Sequence, residues 1–373
     1  MLQHPSELRS TVAQLTSDAS VSWYPLIPAN YKPSPPLPPI SSRTSLLIPP
    51  TSKMRPLLHL PLKSTLPKLL TPRLYSTATS GRPQFISSFQ IPTPHSNGSI
   101  RVLSLCRPEA RNAISIQLLQ ELRAHVNDIA EEYSDGNEVE KVGAKGEEGP
   151  TRALIITSDV DGVFCAGADL KERATFTPEM TQTFLHNLRS TFTKLSTLPI
   201  PTISAISSVA LGGGLELALC THMRVLASTA VVGLPETRLG IIPGAGGTYR
   251  LPALIGVGRA RDLILTGRRV GGPEAYFLGI ADRLVEVKEE EGEGKEKGDL
   301  MKRAKEAVLR EAVNLAGTIC EGGPVATRSA LKAVGWARED VENEMYGKVV
   351  GTEDRDEALV AFREKRKPIF KGR

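Results

Sequence analysis

Two glutamates in this chain each follow a glycine-containing segment, and their type and spacing suit acid–base chemistry. Glu216 ends the run Gly-Gly-Gly-Leu-Glu at 212–216, and Glu236 ends Gly-Leu-Pro-Glu at 233–236, 20 residues further on. Paired carboxyl groups can exchange protons with a substrate when their surroundings separate their pKa values. A third segment, Phe-Cys-Ala-Gly-Ala-Asp-Leu, lies upstream at 164–170. Together the three segments predict an active site that needs neither a metal nor a redox cofactor.

The glycine run at 212–214 also predicts a binding site for negative charge. A helix that opens there leaves backbone N–H groups free in its first turn, and the helix dipole adds positive potential. Such a site suits a phosphate or a developing oxyanion. Alone, a glycine triplet is more often a turn, and the run at 243–247 lacks the spacing of a nucleotide-binding loop. The combination of the three segments therefore carries the prediction.

Composition indicates a soluble globular protein with a basic leader. The chain has 373 residues, of which 40% are hydrophobic and 23% are charged, and no apolar run is long enough to predict a membrane span. The net charge is +5, but residues 1–80 hold eight Lys/Arg and two Asp/Glu, a net of +6. The remainder therefore has 5 − 6 = −1. This distribution does not favour a nucleic-acid surface.

The four cysteines predict neither a disulfide framework nor a metal site. No two of them form a CxxC pair, and none has a histidine at metal-ligand spacing. We expect reduced, packed thiols at Cys106, Cys165, Cys220 and Cys320.

The first 75 residues predict a disordered leader that contains a mitochondrial presequence. Residues 19–108 contain no acidic residue, and 14 of the 28 prolines lie in the first 80 residues. The stretch from Met54 has the composition of a complete presequence, with Arg73-Leu-Tyr-Ser resembling a processing site that is cut after Tyr75. We therefore expect Met54 to be the working initiator and the mitochondrial matrix to be the destination. The alternative is a disordered tail without a targeting role.

Beyond the leader, strands alternate with helices, which indicates an α/β fold. We predict a catalytic core at 76–287, a charged loop at 288–299 and a C-terminal helical region at 300–373. A further polar, glycine-rich loop is predicted at 134–150. The predicted strands are 101–105, 152–157, 201–206 and 223–226, and the predicted helices are 114–132, 178–198, 214–220 and a last one that includes 357–365.

Three ordered motifs resemble the crotonase (enoyl-CoA hydratase/isomerase) superfamily. They are Phe-Cys-Ala-Gly-Ala-Asp-Leu-Lys-Glu-Arg at 164–173, Ala-Leu-Gly-Gly-Gly-Leu-Glu-Leu-Ala-Leu at 210–219, and the segment 233–248 from Gly-Leu-Pro-Glu to Gly-Gly-Thr. The resemblance extends from about Ile100 to Arg373. It implies a crotonase-like spiral of repeated ββα units with a C-terminal helical trimerisation region, and thus a homotrimer or a dimer of trimers.

The resemblance also implies a role for each motif residue. The backbone N–H groups of Ala168 and Gly213 correspond to an oxyanion hole for a thioester carbonyl. Glu216 corresponds to the base that activates water, and Glu236 to the acid that protonates the α-carbon. The implied reaction is addition of water across the α,β double bond of an acyl-CoA. Coenzyme A is then part of the substrate, and no cofactor is expected.

Contacts with coenzyme A are implied by position alone. Phe362 and Lys365 match positions that, in the family, reach the coenzyme A of a neighbouring subunit. The alternative for Phe362 is an apolar helix face, and the alternative for Lys365 is a solvated charge. The implied coenzyme A and substrate contacts are Arg111, Ala166, Gly167, Asp169, Leu170, Lys171, Phe362 and Lys365.

Within the superfamily the chain is most similar to the branch that hydrates 3-methylglutaconyl-CoA in leucine degradation. The similarity rests on Ala-Asp-Leu-Lys-Glu-Arg at 168–173, Leu215 and the ending at 354–368. A short-chain hydratase of fatty-acid β-oxidation and an enoyl-CoA isomerase are the alternatives. RNA binding, implied by a Lys-rich helix in a member of that branch, is not expected because residues 116–132 carry one Arg and no Lys. The sequence does not identify a residue that would bind the substrate's distal carboxylate.

Three positions depart from the superfamily pattern. Ser208 replaces a glycine, His222 stands where aspartate is common, and Tyr249 replaces a frequent glutamine. We expect His222 to be structural, because the two glutamates already fill the acid–base roles. Tyr249 is expected to affect packing near Glu236.

Overall fold

The computed structural model describes residues 84–93, 96–134, 140, 149–288 and 297–373, with side chains in the last range from Leu300 onward. The predicted leader and most of the loop predicted at 134–150 lie outside the described residues. None of the described helices is both long enough and apolar enough to cross a membrane.

Strands in the described part of the chain form two sheets of unequal size. The larger sheet has six strands in the order β1-β2-β3-β5-β7-β10, with β1 antiparallel to β2 and the other pairs parallel. The smaller sheet has the order β4-β6-β8-β9. The strands are β1 (Ile86–Pro92), β2 (Ser99–Leu105), β3 (Thr151–Ser158), β4 (Val163–Cys165), β5 (Thr202–Ile206), β6 (Val209–Leu211), β7 (Met223–Ala227), β8 (Val231–Gly233), β9 (Arg269–Gly271) and β10 (Arg283–Val285).

Helices surround the larger sheet and make up the C-terminal region. Single 3-10 turns lie at Pro108–Ala110 and Glu236–Leu239. The α-helices are α1 (Ile116–Glu131), α2 (Leu170–Arg173), α3 (Pro178–Ser196), α4 (Gly213–Leu219), α5 (Gly247–Ile255), α6 (Val257–Thr266), α7 (Gly272–Leu278), α8 (Lys297–Cys320), α9 (Pro324–Trp336), α10 (Glu339–Val350) and α11 (Glu353–Glu364).

The central strands of the larger sheet, β2, β3, β5 and β7, are buried almost throughout, as expected for parallel strands covered on both faces. Successive side chains point to opposite faces. Val102 and Ile155 therefore join a cluster against α8, whereas Leu103 and Ile156 join the main core, to which α1 and α3 contribute. Burial of these apolar faces supplies the main driving force for folding.

A ββα unit repeats along the chain, as the resemblance predicted. In each unit the first strand enters the larger sheet, the second enters the smaller sheet, and a helix follows. The units are β3-β4 with α2 and α3, β5-β6 with α4, and β7-β8 with α5 after a 3-10 turn. The predicted crotonase-like spiral is confirmed.

Most predicted elements are present, and the differences have simple causes. The predicted strands and helices correspond to β2, β3, β5, β7, α1, α3, α4 and α11, with ends that differ by at most four residues. Strands β4, β6 and β8 have three residues each, too few for a recognisable period. The charged loop predicted at 288–299 was too long, because α8 begins at Lys297. Lys and Glu favour helices, so a charged run can extend a helix as easily as a loop.

The C-terminal segment folds back onto the last helix. Thr352 caps α11 by accepting from the backbone N–H of Arg355. Asp354 is buried, and its carboxylate accepts from the backbone N–H groups of Lys371 at 2.6 Å and Gly372 at 2.9 Å. These bonds fix the final residues against the start of α11.

Helix α4 and strand β4 approach so closely that only glycine fits between them. A Cβ atom on Gly214 would lie 2.9 Å from the carbonyl carbon of Cys165 and closer still to its oxygen. Both neighbours are backbone atoms of a buried strand, so neither can move away without disturbing the sheet. The short distance sets the position of α4 relative to β4.

Substitution Gly214→Ala is therefore expected to destabilise the protein by roughly 3 kcal/mol or more. Urea denaturation at one fixed protein concentration measures the change. The matched control is Gly317→Ala in α8, where a Cβ would meet nothing within 4 Å and alanine is the better helix former. Equal stability of Gly214→Ala and the wild type would contradict this account of the contact.

Candidate active site

The three motifs singled out in the sequence follow three neighbouring strands of the smaller sheet. β4 pairs with β6 in parallel, with Cys165 opposite Ala210, and β6 pairs with β8 in parallel, with Leu211 opposite Gly233. The carboxyl ends of parallel strands lie at one edge of a sheet, where ligands bind in α/β folds. Segment 166–170, the start of α4 and Glu236 are therefore brought together.

Two backbone N–H groups lie side by side at this edge. Gly167 has a φ of +101°, and a Cβ there would lie 2.7 Å from the Leu211 carbonyl oxygen and 3.4 Å from the Gly213 nitrogen. A Cβ on Gly213 would lie 3.6 Å from the Ala168 nitrogen. The bridge between Ile114 and Ala168 uses the carbonyl of Gly167 and the N–H of Asp169, which leaves the Ala168 N–H outside the bridge.

Gly213 is the first residue of α4, so its N–H has no acceptor within the helix. Among the described residues no hydrogen bond involves the N–H of Ala168 or of Gly213. Two unbonded backbone donors therefore lie close together at the start of α4, where the helix dipole favours negative charge, and such a pair could serve as an oxyanion hole.

Glu216 lies in the buried helix α4 and is held by a loop that the sequence analysis did not connect with it. Its Oε1 atom accepts from the backbone N–H groups of Ala245 at 2.7 Å and Gly247 at 2.8 Å. Burial raises the pKa of Glu216, and the two N–H groups and nearby arginines only partly oppose that rise. The glycines at 244, 246 and 247 were the available signal, because they permit backbone to face a side chain closely.

Two arginines fix that loop from outside. Arg250 donates to the carbonyl oxygen of Ala245 at 3.0 Å, and Arg189 donates to that of Gly244 at 2.6 Å. Their positive charges also lower the pKa of Glu216. The same contacts thus position one carboxyl group and favour its ionised form.

Glu236 is the second buried carboxyl group, and it opens the 3-10 turn after β8. A Cβ on Gly212 would lie 3.1 Å from its Oε1 atom, so a side chain at residue 212 would crowd it. Its Oε2 atom is buried and has no hydrogen-bond partner among the described residues. Burial, aided by the negative charge of Glu216, raises the pKa of Glu236 to about 7. A proton can therefore enter or leave Glu236 near neutral pH.

Comparison with known proteins identifies the family of this chain. A sequence profile of the family described as "Enoyl-CoA hydratase/isomerase" matches residues 95–373. The chain belongs to the enoyl-CoA hydratase/isomerase family. A crystal structure of the enoyl-CoA hydratase from Bacillus anthracis is similar over 78% of this chain and 100% of that one, with 38% identity and a TM-score of 0.65.

Two fungal relatives are more similar in sequence. "Methylglutaconyl-CoA hydratase 1, mitochondrial" from Pyricularia oryzae is 59% identical over 319 residues, which is 81% of this chain and 91% of the relative. "Enoyl-CoA isomerase/hydratase" from Zymoseptoria tritici is 61% identical over 302 residues, which is 80% of this chain and 91% of the relative.

The segment predicted to contact coenzyme A, residues 166–171, includes Ala168 and its unbonded N–H group. Asp169 caps α2 by accepting from the N–H groups of Lys171 and Glu172 and pairs with Arg107 at 2.8 Å. Burial would raise the pKa of Asp169, but these partners lower it overall, so the cap stays charged. Ala166 is half-buried, whereas Leu170 and Lys171 are exposed, so the segment opens outward from the site.

The other predicted contact residues lie apart from this segment along the chain. Arg111 is exposed, with a φ of 52°, after the first 3-10 turn. Phe362 is 86% exposed near the end of α11, and Lys365 is its exposed C-cap. Neither residue of α11 is packed into the core of its own chain.

The three departures from the family pattern have structural roles in the described residues. His222 accepts through Nδ1 from the Thr202 backbone N–H at 3.1 Å, and burial lowers its pKa to about 4. The neutral ring therefore joins β5 to β7. Ser208 donates to the Gly162 carbonyl oxygen. Tyr249 is 58% exposed and stacks with Arg250, so it adjoins the loop that holds Glu216.

The described residues contain no group of three His, Cys, Asp or Glu that could hold a metal ion. The four cysteines are free, as predicted, and Cys165, Cys220 and Cys320 are buried.

Glu236 is expected to make the wild type lose stability as the pH rises from 4.5 to 7. In this window the folded protein keeps the proton that the unfolded chain has released, because the pKa rises from 4.5 to about 7 on folding. Glu236→Gln removes this cost. The free energy of unfolding of Glu236→Gln, relative to that of the wild type, should rise by up to about 3 kcal/mol between pH 4.5 and 7 and stay constant above pH 7.

Urea denaturation of both proteins at several pH values measures that difference. Glu131→Gln is the matched control, because the Glu131 side chain is exposed in the folded protein. A difference between Glu236→Gln and the wild type that stays the same from pH 4.5 to 8 would refute the raised pKa.

Proposed function

We propose that this protein is an enoyl-CoA hydratase whose substrate is 3-methylglutaconyl-CoA. The observation that carries the proposal is the pair of buried glutamates, Glu216 and Glu236, beside two free backbone N–H groups. The 59% identity to a protein named methylglutaconyl-CoA hydratase supports the choice of acyl group.

The thioester carbonyl binds to the N–H groups of Ala168 and Gly213. Hydrogen bonds to this oxygen draw electron density from the double bond and make the β-carbon electrophilic. The same N–H groups stabilise the enolate-like oxygen that develops on attack. Removing one donor of this kind from an enzyme typically slows the reaction by ~100- to 1000-fold.

Water then adds across the double bond with the two carboxyl groups in different roles. Glu216 takes a proton from the water molecule while the water oxygen forms its bond to the β-carbon. Protonated Glu236 gives its proton to the α-carbon, which completes the 3-hydroxyacyl-CoA. Transfer of one proton from Glu216 to Glu236, directly or through solvent, restores the starting state. A pKa of about 7 allows Glu236 to act as that acid near neutral pH.

Hydration is favoured over isomerisation because an isomerase can work with one carboxyl group, whereas two are placed here. The relative named isomerase/hydratase keeps both reactions within the family. A short-chain hydratase would use the same steps on an acyl group without a distal carboxylate. The residues that line the acyl pocket therefore determine which of these substrates the enzyme prefers.

The proposal extends to location and assembly. The name of the Pyricularia oryzae relative places that protein in mitochondria, and we assign this chain to the mitochondrial matrix. A homotrimer or a dimer of trimers would cover exposed apolar residues of the C-terminal helices, among them Trp336, Tyr346 and Phe362. In such an assembly Phe362 and Lys365 contact a neighbouring subunit's coenzyme A.

Hydration of 3-methylglutaconyl-CoA and crotonyl-CoA, measured on the chain from Ser76 onward, tests the proposal. We expect a higher kcat/KM for 3-methylglutaconyl-CoA. Glu216→Gln and Glu236→Gln should each lower kcat by at least ~100-fold, since each removes a proton-transfer group. A matched control, Glu131→Gln, should have wild-type activity.

The outcomes separate the parts of the proposal. A preference for crotonyl-CoA would replace the substrate but keep the mechanism. Full activity of either active-site variant would contradict the assignment of that glutamate. Hydration of neither substrate would contradict the proposed function as a whole.

A further inference from the structure

The distal carboxylate of a glutaconyl group requires a cationic partner inside the acyl pocket. A carboxylate that leaves water without a partner is strongly disfavoured, and the two buried glutamates add repulsion. A positively charged side chain near Glu216, not already engaged by protein groups, would meet the requirement.

Three arginines interact electrostatically with Glu216, and two of them are already committed. Arg189 and Arg250 donate to carbonyl oxygens of the loop that holds Glu216. Arg173 is the third, and the negative charge of Glu216 opposes the lowering of its pKa by burial. Within the described residues, Arg173 has neither an ion pair nor a hydrogen-bond acceptor for its guanidinium.

The half-buried Arg173 side chain packs its guanidinium against an aromatic ring. Its central carbon lies 4.9 Å from the ring centroid of Phe184, a residue that is 4% exposed. The ring of Phe176 packs beside Phe184 with centroids 5.7 Å apart. A guanidinium that stacks by its face keeps its N–H edges available for a carboxylate.

The helices around Arg173 connect it with both parts of the site. Arg173 ends α2, whose cap Asp169 directly follows the oxyanion-hole residue Ala168. The helix below the guanidinium, α3, also contacts the loop that holds Glu216. Arg189 of α3 donates to the Gly244 carbonyl oxygen. Leu185 of α3 would lie 3.4 Å from a Cβ atom on Gly244.

We propose that Arg173 binds the distal carboxylate of the acyl group and thereby selects a dicarboxylic enoyl-CoA. This proposal rests on the proposed hydratase function and names the residue that determines its substrate class. The planar guanidinium can bind both carboxylate oxygens at once, which also fixes the orientation of the acyl chain. The thioester at Ala168 and the carboxylate at Arg173 then hold the double bond from both ends.

The first test compares two substrates in full-length wild-type protein and three variants. Arg173→Gln should lower kcat/KM for 3-methylglutaconyl-CoA by roughly 30-fold or more, mainly through KM, because a desolvated charge pair is lost. Hydration of crotonyl-CoA should stay unchanged, which also shows that the variant folds. Arg173→Lys should retain part of the activity towards 3-methylglutaconyl-CoA, since it keeps the charge but not the planar fork.

Arg123→Gln is the matched control, because Arg123 is exposed and bonds only to the Asn187 side chain in the described contacts. It should leave both activities unchanged. An equal loss for both substrates in Arg173→Gln would mean that Arg173 acts on Glu216 generally and would overturn the proposal. No loss for either substrate would overturn it as well.

Binding without turnover separates this inference from the proposed function. Calorimetry should show that the wild type binds glutaryl-CoA more tightly than butyryl-CoA and that Arg173→Gln removes the difference. That result would support Arg173 even if the wild type failed to hydrate 3-methylglutaconyl-CoA, a failure that would count against the proposed function alone. Persistence of the difference in Arg173→Gln would overturn the role of Arg173.

Discussion

The close approach of two backbone segments, 165–168 and 211–214, is the constraint on which the rest of the site depends. Gly214 packs against the Cys165 carbonyl, and Gly167 packs against that of Leu211. These contacts leave no room for side chains, so the strand ends meet through bare backbone and bring the N–H groups of Ala168 and Gly213 close together. Parallel pairing of β6 with β8 then brings the second carboxyl group to the same edge.

The same arrangement places two carboxyl groups where water cannot screen them, which opposes stability but suits catalysis. Glu216 is compensated by two backbone donors and two nearby arginines, whereas Glu236 has an unbonded buried oxygen. Burial raises the pKa of both groups, but the donors and arginines oppose the rise at Glu216, whereas the charge of Glu216 adds to the rise at Glu236. Such a difference in environment allows one base and one acid to work side by side. The buried apolar faces of the larger sheet supply stability elsewhere in the molecule.

Part of this site could be predicted from sequence, because glycine and glutamate are rare choices in a buried helix start. The motifs at 164–170, 212–216 and 233–236 indicated both the glutamates and the backbone donors. The hydrogen bonds from the backbone N–H groups of Ala245 and Gly247 to Glu216 were not predicted, because they join residues 29 and 31 positions apart. The glycines of that loop indicate a close approach of backbone but not the side chain that it meets. The sequence also provided no indication of a role for Arg173, because that role depends on two three-dimensional features. The guanidinium stacks on Phe184 and has no acidic partner among the described residues. Four strands of the larger sheet could be predicted from their apolar residues. The strands of the smaller sheet could not, because three residues are too few to show a periodic pattern.

A crystal structure of this protein with an unreactive saturated acyl-CoA tests the central claim most directly. The account predicts the thioester oxygen within about 2.7–3.1 Å of the backbone nitrogens of both Ala168 and Gly213. It also predicts one water molecule that contacts the carboxyl groups of Glu216 and Glu236 next to the acyl β-carbon. A thioester bound away from these two N–H groups, or a β-carbon out of reach of both glutamates, would contradict the account.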